Sequence, residues 1–134
     1  MDYREEFYAA RWHLDVAKRM LESFNEYGGK RFLVGVIREG AKSAGKLVRA
    51  FLIREGVRGN LQTFMSRVGV KHLDEKEICD LVSILNLEKD QRRARVEFLK
   101  TDRLLLNVDG EWRVLDVSRL KELVDNVDNV VNNF

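Results

Sequence analysis

Proline is absent from the chain, and cysteine occurs once, as Cys79. Proline breaks helix interiors, so its absence suits a mainly helical protein. A single cysteine excludes an internal disulfide and leaves a cysteine-based metal site without support; Cys79 reads as a small core residue. Long apolar runs are missing as well. The run Phe32-Leu33-Val34-Gly35-Val36-Ile37 falls far short of the ~18 residues a membrane helix requires. The opening MDYREEF lacks the apolar segment of a secretion signal. The expectation is a soluble, cytoplasmic protein with no membrane attachment. No complete catalytic or metal-binding signature occurs, so neither metal nor cofactor is expected. The acidic Glu75, Glu77 and Asp80 resemble a metal cluster only superficially, because carboxylates in a first helical turn are explained by the macrodipole.

What is present is enough apolar material for one core: 134 residues, 45% of them hydrophobic, read as a single domain over 1–134. The formal net charge of +2 conceals a segregation. Residues 29–58 carry eight Lys and Arg against two Glu, whereas residues 104–134 carry three against six acids.

Hydrophobic periodicity predicts a long helix from Asp2 to Tyr27, with Phe7, Ala10, Leu14, Ala17, Leu21 and Phe24 on one face and Gly28-Gly29 ending it. Asn60 can cap a short helix through Val68, stopped by Gly69. Asp74 and Glu77 form a capping box for the next, whose buried stripe reads Ile78, Leu81, Val82 and Leu85. Residues 88–100 read as a further helix bearing Arg92, Arg93 and Arg95. At Arg103 the period changes: two strand-like runs flank Asp109-Gly110, the signal of a two-residue hairpin over 103–116. A last helix follows, with Leu120, Leu123, Val124, Val127, Val130, Val131 and Phe134 on one side. The fold class predicted is mainly α: an up-down helical bundle with a long N-terminal helical hairpin and a small β-hairpin before the C-terminal helix.

Between these elements, Gly40 and Gly45-Lys46 supply most of the phosphate-loop pattern G-x-x-x-x-G-K-[ST]. Leu47 occupies the hydroxyl position, and no parallel sheet is available to deliver such a loop. Placed on a helix, the same stretch becomes orderly. Leu33, Ile37, Gly40, Ala44, Leu47 and Phe51 share a face, and the small residues Gly40, Ala41, Ala44 and Gly45 allow a neighbouring helix to approach closely. On the opposite side Arg31, Arg38, Lys42 and Arg49 fall within about 20° of one direction, with Lys46 adjacent. Five cations on one helix face form either a solvated surface or a contact surface for phosphates.

The segments AARWHLDVAKRMLE and EGAKSAGKLVRAFLIREG, joined by a glycine turn, resemble over residues 5–56 the helical-hairpin core of the HEPN superfamily, small prokaryotic helical bundles often encoded beside nucleotidyltransferases. That resemblance implies a homodimer formed through helix faces and a nucleotidyltransferase-type protein as a possible partner. Some members are non-catalytic binding modules; others are ribonucleases with paired Arg and His. On that pattern Arg67 and His72 are the candidate catalytic residues, with Val68 where the family has a polar residue. His13, beside Trp12, has no acidic or cationic partner at a catalytic spacing except Asp15, two positions away and off its face.

Residues 88–116, helix then hairpin, also imitate a DNA-binding winged helix with Arg92, Arg93, Arg95 and Lys100 on the recognition helix. Three classes therefore stand. The leading one is a non-enzymatic, dimeric module that contacts RNA or a partner protein through Arg31, Arg38, Lys42, Lys46 and Arg49. The ribonuclease and the winged helix are its alternatives.

Overall fold

The computed structural model describes residues 2–134. Helix α1 spans Tyr3–Tyr27, capped by the Asp2 carboxylate, which accepts from the Arg4 N–H at 3.0 Å. Gly28 and Gly29 take φ of 72° and 100°, a region that suits residues without a Cβ, and turn the chain into α2, Lys30–Arg54. The two helices lie antiparallel along their whole length. Ser43, fully buried, donates its hydroxyl hydrogen to the Ala10 carbonyl at 2.7 Å. Gly40 faces α5, Glu75–Arg93, so closely that an added Cβ would lie 2.6 Å from Ile84 Cδ1. The G-x-x-x-x-G-K segment thus lies inside a continuous helix, where its N–H groups are committed to the helix ladder.

α5 and α6, Val117–Asn132, pack on the hairpin and complete a four-helix bundle. One cluster of buried side chains runs through all four helices and into the sheet, with Leu33, Ile37, Leu47, Phe51, Ile84, Leu120 and Val127 among its members. At one end Phe51 packs against Phe64 and Phe134, at ring separations of 5.6 and 4.8 Å.

Three sequence expectations need correction. Gly69 does not end the short helix. The chain passes from α3 (Leu61–Thr63) through a π-helical segment (Phe64–Gly69) into α4 (Val70–His72), and Phe64 and Val68, four residues apart on one face, are both buried in the core. Cys79 is exposed, because α5 buries Leu81 and Ile84, and a residue two places before Leu81 stands about 200° round the helix. Residues 88–100 are not a separate helix. α5 continues unbroken through Asn86-Leu87 to Arg93, Ala94 turns to an extended ψ of 126°, and Val96–Lys100 form strand β1.

β1 pairs antiparallel with β2 (Arg103–Val108), and β2 with β3 (Glu111–Asp116), so the expected hairpin is two-thirds of a three-stranded sheet in order β1-β2-β3. Asp109 and Gly110, at φ of 54° and 84°, make the β2–β3 turn. The separate recognition helix over 88–100 that the winged-helix reading places there does not form: residues 88–93 belong to α5 and 96–100 to β1.

Candidate nucleic-acid interface

Each of the five cations predicted to share a face of α2 lies at the solvent side of the hairpin, but they are not alike. Arg31 and Arg38 are exposed, and neither has a carboxylate within ion-pairing distance among the described residues. Lys42 stands 3.8 Å from Glu39, one turn back on the same helix. Lys46 and Arg49 approach Glu6 of α1 at 3.3 and 3.6 Å. The two carboxylates are sunk between the helices, with side chains 12% exposed for Glu6 and 15% for Glu39. Against five cations they leave this face three positive charges in excess.

The hairpin adds residues from α1 that the sequence pattern did not connect with α2. His13 Nδ1 lies 2.5 Å from Glu39, so the same carboxylate joins His13 and Lys42. Trp12, 62% exposed, sets its ring edge-on to His13 at a centroid separation of 5.0 Å. A large aromatic side chain thus borders the cationic face.

The other arginine-rich region behaves differently. Arg92 pairs with Glu88 at 2.7 Å, Arg93 with Asp109, and Arg113 with Asp90 at 3.5 Å. Arg95 and Lys100 have no carboxylate partner among the described residues, but residues 88–116 hold seven acids against seven Lys and Arg, whereas the cations of α2 are only partly offset.

Arg67 and His72 are both exposed, but no hydrogen bond or ion pair joins them. His72 Nε2 is paired with Glu55 at the end of α2, and its ring stacks over Phe51 at 5.8 Å. Arg67 lies in the π-helical segment, without an ion-pair partner among the described residues.

Between α5 and α6 the buried Asp80 accepts hydrogen bonds from Lys76 and Arg119, both at 2.9 Å, and Glu122 closes the network from the solvent side. Burial pushes the Asp80 carboxyl up, but the hydrogen bonds and charges of Lys76 and Arg119 outweigh it and hold the group below the usual carboxylate range. The hydrogen bond from Lys76 likewise lowers Glu122, and its acceptance by Glu122 raises Lys76. This network is a helix-to-helix tie. Glu77, meanwhile, is spent in the capping box with Asp74. Among the described residues no group of three His, Cys, Asp or Glu is placed to hold a metal ion, and no helix is long and apolar enough to cross a membrane.

Comparisons of the chain with protein families, with curated proteins and with solved structures return no match.

Proposed function

We propose that this chain is a non-catalytic, HEPN-like RNA-binding module, homodimeric and cytoplasmic, which holds the RNA backbone on the α2 face of Arg31, Arg38, Lys42, Lys46 and Arg49. The observation that supports this reading is the uneven neutralisation of the arginines. Arg92, Arg93 and Arg113 are paired within their own region, while the α2 face keeps a surplus of positive charge and two arginines free to meet phosphates. Cations held in place by a rigid helix release counterions from a polyanion at little ordering cost.

Salt-dependent binding tests the reading. Single-stranded RNA is expected to bind the wild type with an affinity that falls steeply as salt rises. Replacing Arg31 and Arg38 together by Gln is expected to flatten the log–log slope by about 1.4, at ~0.7 for each single-strand phosphate contact. Replacing Arg92 and Arg95 is expected to change it little. No binding at low salt would transfer the face to an acidic protein partner of the nucleotidyltransferase type. RNA cleavage that disappears in His72→Ala would instead make the Glu55-paired His72, with Arg67, the centre of a ribonuclease. Sedimentation at twice the 15.7 kDa chain mass supports the dimer, and a concentration-independent monomer removes it.

A further inference from the structure

The sheet has one face in the core and one without cover among the described residues. Leu104, Leu106 and Val108 of β2 point inward and are buried. Strand register places three rows on the outer face: Val96, Asn107 and Trp112; then Phe98, Leu105 and Val114; then Lys100, Arg103 and Asp116. Two of these rows are apolar and aromatic apart from Asn107, where a solvated sheet face would be polar, and the third is charged. Trp112 is 52% exposed, Phe98 43%, Val96 48% and Val114 57%. Phe98 and Trp112 meet edge-on at 6.0 Å and 84°, and both side chains remain largely in solvent.

We propose, resting on the RNA-binding reading of α2, that this outer sheet face is a stacking platform for the bases of single-stranded RNA, with Phe98 and Trp112 as the stacking rings. Two features favour a nucleic-acid strand over other occupants. The first is charge. Lys100 ends β1 in the outer row, exposed and without a carboxylate partner among the described residues, and Arg103 sits in the same row. Asp116 offsets only Arg103, at 3.1 Å. Cations around exposed rings suit a ligand that alternates phosphates with flat bases.

The second feature is continuity with the cationic helix. Lys30 Nζ donates to the Glu97 carbonyl at 3.2 Å, which fastens the first residue of α2 to β1. Its neighbour Arg31 is the first cation of the α2 face. The backbone-holding surface therefore starts beside the strand that carries Phe98. A second copy of the chain fits this face less well. Its four exposed side chains offer roughly 400 Å² of apolar surface, taking ~150–250 Å² for a whole aromatic side chain. That is the size of an ordinary monomer's largest patch and about half of the ~800 Å² per partner in a stable complex.

The test measures anisotropy of a labelled oligouridine of about 16 nucleotides, with an RNA duplex of equal length as control, across a range of salt. Phe98→Ala and Trp112→Ala are each expected to weaken single-strand binding about tenfold, with duplex binding and salt slope unchanged, because a stacked base is lost and no phosphate contact is. Trp112→Phe keeps a ring and is expected to retain most of the affinity. Both alanine variants should melt with the wild type, since neither ring belongs to the core. If both bind oligouridine like the wild type while Arg31→Gln with Arg38→Gln still flattens the slope, the platform is overturned and the α2 reading survives. If the wild type binds no oligonucleotide at low salt, both fall together. A wild-type dimer that becomes monomeric in the two alanine variants, with affinity per chain unaltered, assigns the face to a second copy and overturns the platform too.

Discussion

Helix α2 and the three-stranded sheet dispose of apolar side chains in opposite ways. α2 buries Leu33, Val36, Ile37, Leu47 and Phe51 to 1% exposure or less and turns its cations outward. The sheet buries one row set and leaves Val96, Phe98, Trp112 and Val114 in solvent, a display matched elsewhere among the described residues only by Tyr8, Trp12, Tyr27 and Val70. A helix confines its apolar residues to one stripe and can satisfy them against a single neighbour. A strand alternates, so apolar residues on both parities force one face outward unless a second layer covers it. The buried apolar side chains of α2 are therefore about cohesion, and those on the outer sheet are available for contact.

The largest expected effect breaks this contrast or sustains it. Phe51, fully enclosed by Phe64, Phe134 and the His72 ring, should cost about 3–5 kcal/mol when replaced by Ala, read from urea unfolding at neutral pH. Phe98→Ala should cost within about 0.5 kcal/mol, as expected at a surface position. Comparable losses at the two positions would mean that the outer sheet belongs to the core after all.

A smaller effect concerns how the two halves join their helices. α1 and α2 meet through small residues and one buried hydroxyl, whereas α5 and α6 are tied by Asp80 with Lys76 and Arg119. Asp80→Ala removes two charge-assisted hydrogen bonds and should destabilise by about 1–3 kcal/mol at neutral pH. Its folded carboxyl lies below the ordinary value of 3.8, so the folded state holds its proton less tightly than the unfolded one. The stability it contributes is present above pH 3.8 and is lost as pH falls through the lower folded value. The acid limb of a Tm-against-pH curve should accordingly be shallower in Asp80→Ala than in the wild type. Parallel limbs would show that the network contributes nothing pH-dependent.

The two regions also differ in how far they can be read from sequence. The hairpin's helices, its glycine turn and the shared direction of five cations follow from periodicity within a single element. Residues 96–100 resist that reading. Val96, Phe98 and Leu99 fit a helix stripe as well as a strand, no glycine separates them from α5, and the decision comes from pairing with Arg103–Val108. The π turn at Phe64–Gly69 is equally silent, because Gly69 reads locally as a stop and only the burial of Phe64 and Val68 carries the helix through it. At the candidate site the cations were legible and their partners were not. Glu6 and His13 belong to α1, and which residues of α2 they meet depends on how the antiparallel helices register.

Those unseen partners yield the smallest effect. Glu39 lies between His13 and Lys42, and Glu6 between Lys46 and Arg49, so the hairpin itself attenuates the face attributed above to RNA. Glu39→Gln keeps the side chain's shape and removes its charge. Losing the partly buried pair should cost at most about 1 kcal/mol of stability, since exposed Lys42 regains water. Affinity for single-stranded RNA should rise by a few fold near 0.1 M salt, where screening over ~10 Å leaves neighbouring phosphates within reach of the change. If Lys42 then engages a phosphate, the salt dependence should steepen by up to ~0.7. Sensitivity to the same carboxylate is not expected of the outer sheet, where stacking rather than charge is proposed to hold the bases. Unchanged or weaker RNA binding in Glu39→Gln, in a protein that still melts cooperatively, would mean that the phosphates do not lie along this part of α2.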